Sequence, residues 1–284
     1  MTSQPITPEL RQWIIDQAGT GIAAPALIDA MCKAGWNEDV AIQAVEQVLR
    51  KHLDDVAVQQ GQPPAVRVPG PPLADSPLVI DVGDRQVKVL MAMGSPRVVL
   101  FGNLLSPEEC DAIIAAARPR MARSLTVATR TGGDEVNDDR TSDGMFFQRG
   151  ENDVVTRLEE RIARLVEWPI ENGEGLQVLH YRPGAEYKPH YDYFDPAQPG
   201  TSTILKRGGQ RVGTLLMYLN DPEKGGGTIF PDAGGLEVAP KRGNAVFFSY
   251  DRAHPSTKSL HGGTPVVAGE KWVATKWLRE GEFI

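Results

Sequence analysis

Apolar positions recur with a helical period over the first fifth of the chain and with strand-like spacing over most of the remainder. Three short helices are predicted first, from Pro8 to Ala18, Ala24 to Ala34, and Asn37 to about Leu53. Leu10, Trp13 and Ile14 fall on one face of the first, and Leu27, Ile28 and Met31 on one face of the second. Val40, Ile42, Val45, Val48 and Leu49 line the third behind Asn37, whose short amide side chain suits an N-cap. The pattern then breaks. Residues 61–77, GQPPAVRVPGPPLADSP, are rich in proline, which lacks an amide donor and fixes φ, so neither a regular helix nor a central strand fits there. The segment reads as a semi-extended linker, with an edge segment lying along the larger domain as the alternative. The organisation expected is a helical domain over 1–60, a linker over 61–77 and a larger domain over 78–284.

Beyond Leu78 short apolar runs dominate: Leu78–Asp81, Val87–Met93, Arg97–Phe101, Leu176–Tyr181, Val212–Leu219, Thr228–Phe230, Ala245–Tyr250 and Val273–Leu278. Two amphipathic helices interrupt them. Ser106-Pro107-Glu108-Glu109 supplies an N-cap, an N1 proline and a capping-box glutamate, and Asn152 to Glu167 carries Val154, Val155, Leu158, Ile162 and Leu165 on one face. Strands separated by Gly, Pro and Asp turns, with helices grouped ahead of them, imply an α+β chain built on a β-sandwich or jelly roll buttressed by helices.

Composition narrows the function classes. Hydrophobic residues make up 41% and charged residues 24% of 284 positions, the balance of a globular protein. A net charge of -7 argues against general nucleic-acid binding, and no apolar run is long enough to span a membrane. The start of the chain lacks a basic and apolar leader, and Cys32 and Cys110 show no paired spacing, so a reducing, cytoplasmic location is the expectation.

The candidate chemistry begins at His190-Tyr191-Asp192. In extended backbone, residues i and i+2 point to the same side, so both side chains can reach one ion. Two imidazoles and one carboxylate on one face of an octahedron leave open positions and suit Fe(II). An HxD pair alone is also what a surface turn can contain. Five histidines, His52, His180, His190, His254 and His261, leave the third ligand open on residue type. Lys271 enters an apolar strand, where an ammonium is unfavourable unless paired; it is either an edge lysine or the cation for a carboxylate ligand.

Larger blocks carry a resemblance. Glu174–Tyr181, Pro183-Gly184, Tyr187, His190-Tyr191-Asp192, Gly209–Thr214, Met217–Asn220, Gly225–Pro231, Gly243–Phe248, His261–Val266 and Gly269–Trp277 together resemble the prolyl 4-hydroxylases of algae, plants and animal collagen, over roughly residues 98–279. The resemblance implies a double-stranded β-helix in which His190, Asp192 and His261 bind Fe(II). It implies that Lys271 pairs with the tail of 2-oxoglutarate, with Tyr181 and Thr214 as further polar contacts there. Arg140, Ser142, Tyr187, Arg211 and Trp277 would line a groove for a peptide or protein substrate. O2 is then the co-oxidant, ascorbate an accessory reductant, and the polar stretch Thr129–Gly144 either a lid or a solvated connection.

Rival readings have specific weaknesses. A halogenase needs the carboxylate position vacant, and Asp192 fills it. A zinc hydrolase would present an HExxH helix, which is absent from the sequence. A non-catalytic peptide binder has no use for Lys271 beside three ligands. A free amino acid or another peptidyl residue is the alternative substrate. Ala34-Gly35-Trp36 ahead of Asn37–Ile42 is similar to ubiquitin-associated-type three-helix modules, which implies a protein partner; a stabilising or dimerising helical cap is the alternative.

Overall fold

The computed structural model describes residues 5–127, 134–136 and 140–284, apart from the side chains of 125–127 and 134–136. The chain divides into two compact units, Met1–Ala65 and Val66–Ile284.

In the first unit the helices are Pro8–Gly19, Ala24–Lys33 and Glu38–Gln59. Their starts follow local chemistry: Thr7 Oγ1 accepts from the Leu10 amide at 3.2 Å, and Asn37 Oδ1 from the Val40 amide at 3.3 Å. Ile14, Leu27, Met31, Ala41, Ala44, Val45 and Val48 close a small core. The third helix runs past Leu53 because Lys51 and Asp55 pair across one turn and Ala57 is buried.

The proline-rich segment is a correction to the linker expectation. Ala65 N–H donates to Asp54 Oδ1 within the first unit, and from Val66 onward the chain is part of the second. There Val66 N–H donates to the Asp251 carbonyl, Gly70 N–H to the Val166 carbonyl, and Val68 and Leu73 pack against the core. Gly213 lies under Pro69, where a Cβ would come within 2.7 Å of the proline ring. Residues 66–77 therefore form the edge-segment alternative, since their apolar side chains find partners that composition alone does not reveal.

The second unit is built on antiparallel sheets. A nine-stranded sheet has the spatial order Val79–Asp81, Gln86–Gly94, Arg97–Gly102, Ala245–Ser249, Arg211–Tyr218, Lys271–Arg279, Leu176–Tyr181, Asp143–Phe147, Ala122–Arg123. A four-stranded sheet has the order Leu236–Val238, Thr228–Phe230, His261–Gly263, Tyr187–His190. Helices Pro107–Ala117 and Asp153–Leu165 bury Cys110, Ile113, Val155, Leu158, Ile162 and Leu165 in one core with Leu176, Val178, Leu215, Met217, Trp272, Ala274 and Leu278. The opposite-facing Leu179, Tyr181, Tyr218, Val246, Phe248 and Val273 join Phe230 and Val238 of the smaller sheet in a second core. Each central strand therefore has both faces covered, the jelly-roll arrangement. The lid expected over Thr129–Gly144 falls in part outside the described residues.

Candidate active site

The smaller sheet and the second face of the larger one enclose a cavity, and the pairing of strands decides what lines it. Tyr187–His190 pairs with His261–Gly263 so that His261 lies opposite His190. Asp192 follows two residues after the first strand ends. Donor atoms of His190, Asp192 and His261 all lie within 4.8 Å of one another. His190 Nε2 is 3.5 Å from Asp192 Oδ1, and His261 Nε2 is 3.5 Å from Asp192 Oδ2.

Hydrogen bonding sets the imidazole tautomers. His190 Nδ1 lies 2.9 Å from the Lys188 carbonyl and His261 Nδ1 3.0 Å from the Ser259 carbonyl. A carbonyl only accepts, so each ring carries a proton on Nδ1 and has Nε2 as the atom that faces Asp192. Burial pushes the His261 imidazole down to about 4, against the pull of Asp192, which keeps the ring neutral at physiological pH. Burial would raise the Asp192 carboxyl, yet the groups that face it, the Arg211 guanidinium among them, hold it below the usual carboxylate range. Two imidazole Nε2 atoms and a carboxylate converging on one point match the donor set for a divalent metal such as iron(II).

Lys271 opens the strand Lys271–Arg279, paired with Tyr181 across the sheet. Its side chain is buried, with Nζ 5.3 Å from the Tyr181 ring centre and 5.9 Å from that of Tyr218. No carboxylate of the described residues lies within 4 Å of the ammonium, and burial pulls it down to about 8, opposed weakly by Glu237. A buried ammonium without an anion fits a carboxylate ligand. Lys271, Val273, Thr275 and Trp277 alternate along their strand and all line the cavity with Tyr181, Leu179, Leu216 and Thr228. Thr275 escapes sequence reasoning, although the i, i+2 rule applied from Lys271 would have found it.

The remaining expected positions divide. Arg140, Tyr187 and Trp277 line the same cavity; the Arg140 guanidinium sits 4.9 Å from the Tyr187 ring centre and donates to Gln177 Oε1 at 2.6 Å. Ser142 and Arg211 stand outside that lining and have partners of their own. Ser142 Oγ pairs with Ser124 Oγ at 3.0 Å instead of lining the cavity. Arg211 is held by Glu174 at 2.6 Å, stacks 3.9 Å over Trp277, and reaches the Asp192 carbonyl at 3.5 Å. Thr214 also lines the cavity, and its hydroxyl donates to Asp192 Oδ2 at 2.7 Å. His180 turns to the other face, stacked on Trp272 and bonded to Glu270 at 2.7 Å. His254 accepts the Ser256 amide through Nδ1 and stays outside the cavity lining.

Residues 176–279 match the 2OG-Fe(II) oxygenase superfamily. The chain is 43% identical over 221 residues to prolyl 4-hydroxylase 5 of Arabidopsis thaliana, covering 71% of this chain and 74% of that protein. It is 44% identical over 211 residues to prolyl 4-hydroxylase 1 of the same plant, covering 68% and 72%. Among solved structures, the viral collagen prolyl hydroxylase of Paramecium Bursaria Chlorella virus-1, in complex with 2OG, superposes with a TM-score of 0.50 at 30% identity, covering 64% of this chain and 95% of that one.

Proposed function

Because the chain belongs to the prolyl 4-hydroxylase family of iron(II)- and 2-oxoglutarate-dependent oxygenases, we propose that it hydroxylates a proline held in a peptide or protein. It is a 2-oxoglutarate-dependent dioxygenase with iron(II) as cofactor. The observation that carries the reading is a single cavity joining a His-Asp-His donor cluster, a buried ammonium with no anion beside it among the described residues, and Arg140, Tyr187 and Trp277.

In this reading His190 and His261 hold the iron through Nε2, and Asp192 holds it through its carboxylate. Bound iron and 2-oxoglutarate supply the dioxygen activation, coupled to decarboxylation to succinate, that hydroxylates a C–H bond. Lys271 pairs with the distal carboxylate of 2-oxoglutarate beside the Tyr181 phenol, and Leu179, Leu216 and Val273 keep water away from that pair. Trp277 Nε1 is buried without a hydrogen-bond partner among the described residues, so its N–H is available to a backbone carbonyl of a peptide. Arg140 and Tyr187 line the same cavity. Ascorbate is proposed as the reductant that keeps the iron in its iron(II) state.

The three helices ahead of Ala65 are proposed as a separate domain that recruits a protein substrate or partner. A reducing, cytoplasmic location is proposed, in keeping with two cysteines that are both free; no described helix is long and apolar enough to cross a membrane. Mass spectrometry of proline-containing peptides and of free proline, with and without 2-oxoglutarate, tests the substrate proposal. Oxygen gain on peptidyl proline is expected; gain on the free amino acid alone would refute it.

A further inference from the structure

The carboxylate at the donor cluster is backed by a buried chain of two hydroxyls. Thr214 Oγ1 donates to Asp192 Oδ2 at 2.7 Å, and Thr214 Oγ1 lies 3.0 Å from the Tyr250 hydroxyl. A threonine hydroxyl has one proton, and an ionised carboxylate can only accept. The Thr214 proton is therefore spent on Asp192, and Tyr250 must be the donor to Thr214. The direction of the chain is fixed: Tyr250 to Thr214 to Asp192.

Both hydroxyl-bearing side chains are immobilised. Thr214 sits in mid-strand, paired with Phe248 on one side and Trp277 on the other. The Tyr250 ring is 1% exposed, packed edge-on to Tyr193 at 6.1 Å and 6.2 Å from Phe248, and its amide donates to the Val212 carbonyl. Asp192 has no comparable frame of its own. It lies beyond the end of Tyr187–His190, outside any ladder, with its carbonyl at the Arg211 guanidinium. What orients its carboxylate is the hydroxyl chain, which ties down Oδ2 and leaves Oδ1, 3.5 Å from His190 Nε2, without a described hydrogen bond.

We propose that Tyr250 and Thr214 are positioning residues that present Asp192 as a single-oxygen metal ligand through Oδ1. The inference rests on the reading of His190, Asp192 and His261 as the iron site. It assigns Thr214 to metal binding and gives Tyr250 a role that no motif in the sequence announces.

The test uses the full-length, metal-free protein titrated with Co(II), followed by calorimetry and by the visible absorption bands of the bound ion, with no turnover involved. Thr214→Val keeps the side-chain shape and removes the hydroxyl; Co(II) affinity should fall about tenfold or more, the scale of lost support to a metal ligand. Thr214→Ser retains the hydroxyl and should stay close to the parent protein. Tyr250→Phe should weaken Co(II) binding about threefold to tenfold and shift the absorption bands the same way. Because Tyr250 acts through Thr214, the double variant should bind no more weakly than Thr214→Val alone. The affinity of the Co(II)-loaded protein for 2-oxoglutarate should change less than the Co(II) affinity in every variant.

Unchanged Co(II) binding in Thr214→Val would overturn the proposal, as would a loss confined to 2-oxoglutarate. Additive losses in the double variant would overturn the relay. Asp192→Ala separates the two readings. If it leaves Co(II) binding intact, the iron-site reading and the relay both fall; if it abolishes binding while Thr214→Val does not, only the relay falls.

Discussion

Lys271→Met offers the sharpest quantitative test of the site, because it should move stability and ligand affinity in opposite directions. The ammonium is 3% exposed and has no anion beside it among the described residues, and burial lowers it to about 8 from an ordinary 10.5. That displacement corresponds to roughly 3 kcal/mol spent holding the charge in the folded protein at neutral pH. Methionine keeps most of the apolar stem and removes the charge. The protein without metal or 2-oxoglutarate should therefore melt several degrees higher, at about 2–4 °C per kcal/mol for a unit of this size. Affinity for 2-oxoglutarate should fall, because truncating one partner of a buried charge pair costs about 2–5 kcal/mol, a factor of roughly 30 or more. Differential scanning fluorimetry of the ligand-free protein and calorimetric titration of the metal-loaded one measure the two effects. An unchanged 2-oxoglutarate constant removes Lys271 from the anion site. A melting temperature below that of the parent protein refutes the argument from unpaired charge.

Three other outcomes follow from the same geometry. Alanine at His190, Asp192 or His261 should abolish 2-oxoglutarate turnover and sharply weaken iron binding, whereas His254→Ala should be mild; calorimetry with a divalent metal decides, and an inert His254→Ala paired with an active His261→Ala would overturn the assignment of His261 as the third ligand. For pH, the folded value of Lys271 lies below the unfolded value near 10.4, so the unfolded chain holds more protons between them. The destabilisation is thus fully present below about pH 8 and fades as pH rises toward 10.4, while 2-oxoglutarate affinity should hold steady below pH 8 and weaken above it, up to about tenfold per pH unit, with Lys271→Met flat over the same range. A chain starting at Val66 should fold and bind iron, but one starting at Leu78 should melt lower, since Val68, Pro69 and Leu73 leave their partners; if the helices recruit a protein substrate, the Val66 chain should show a raised Michaelis constant for a long substrate and not for a short peptide.

Local chemistry was legible where the cause lies within a few residues. The capping box at Ser106 and Glu109 forms as its spacing requires, with both reciprocal bonds present. Asn152 caps Asp153–Leu165, and the apolar face of that helix is the one buried. The apolar pattern predicts the third helix only to about Leu53 because its last turns carry few large apolar residues; the burial of Ala57 is a tertiary fact. His190 and Asp192 were found from i, i+2 spacing, although Asp192 stands past the strand end and is aimed by Thr214. His261 came from resemblance, and only strand pairing shows why it fits, since it lies opposite His190.

By itself the sequence determined the helices and most strands, the break near residue 60, and a short set of residues able to hold a metal and a carboxylate. It did so because caps, turn residues and periodicity act over one or two turns of chain. Tertiary structure alone decided which face of each central strand meets the cavity. Leu176–Tyr181 and Lys271–Arg279 are buried on both sides, so alternation carries no polar signature to distinguish the helix-facing residues from those lining the site. It also decided partners. Ser142 with Ser124, Arg211 with Glu174, and Tyr250 through Thr214 to Asp192 join residues 18 to 37 positions apart, brought together by the pairing of strands and by the need of every buried polar group for a partner.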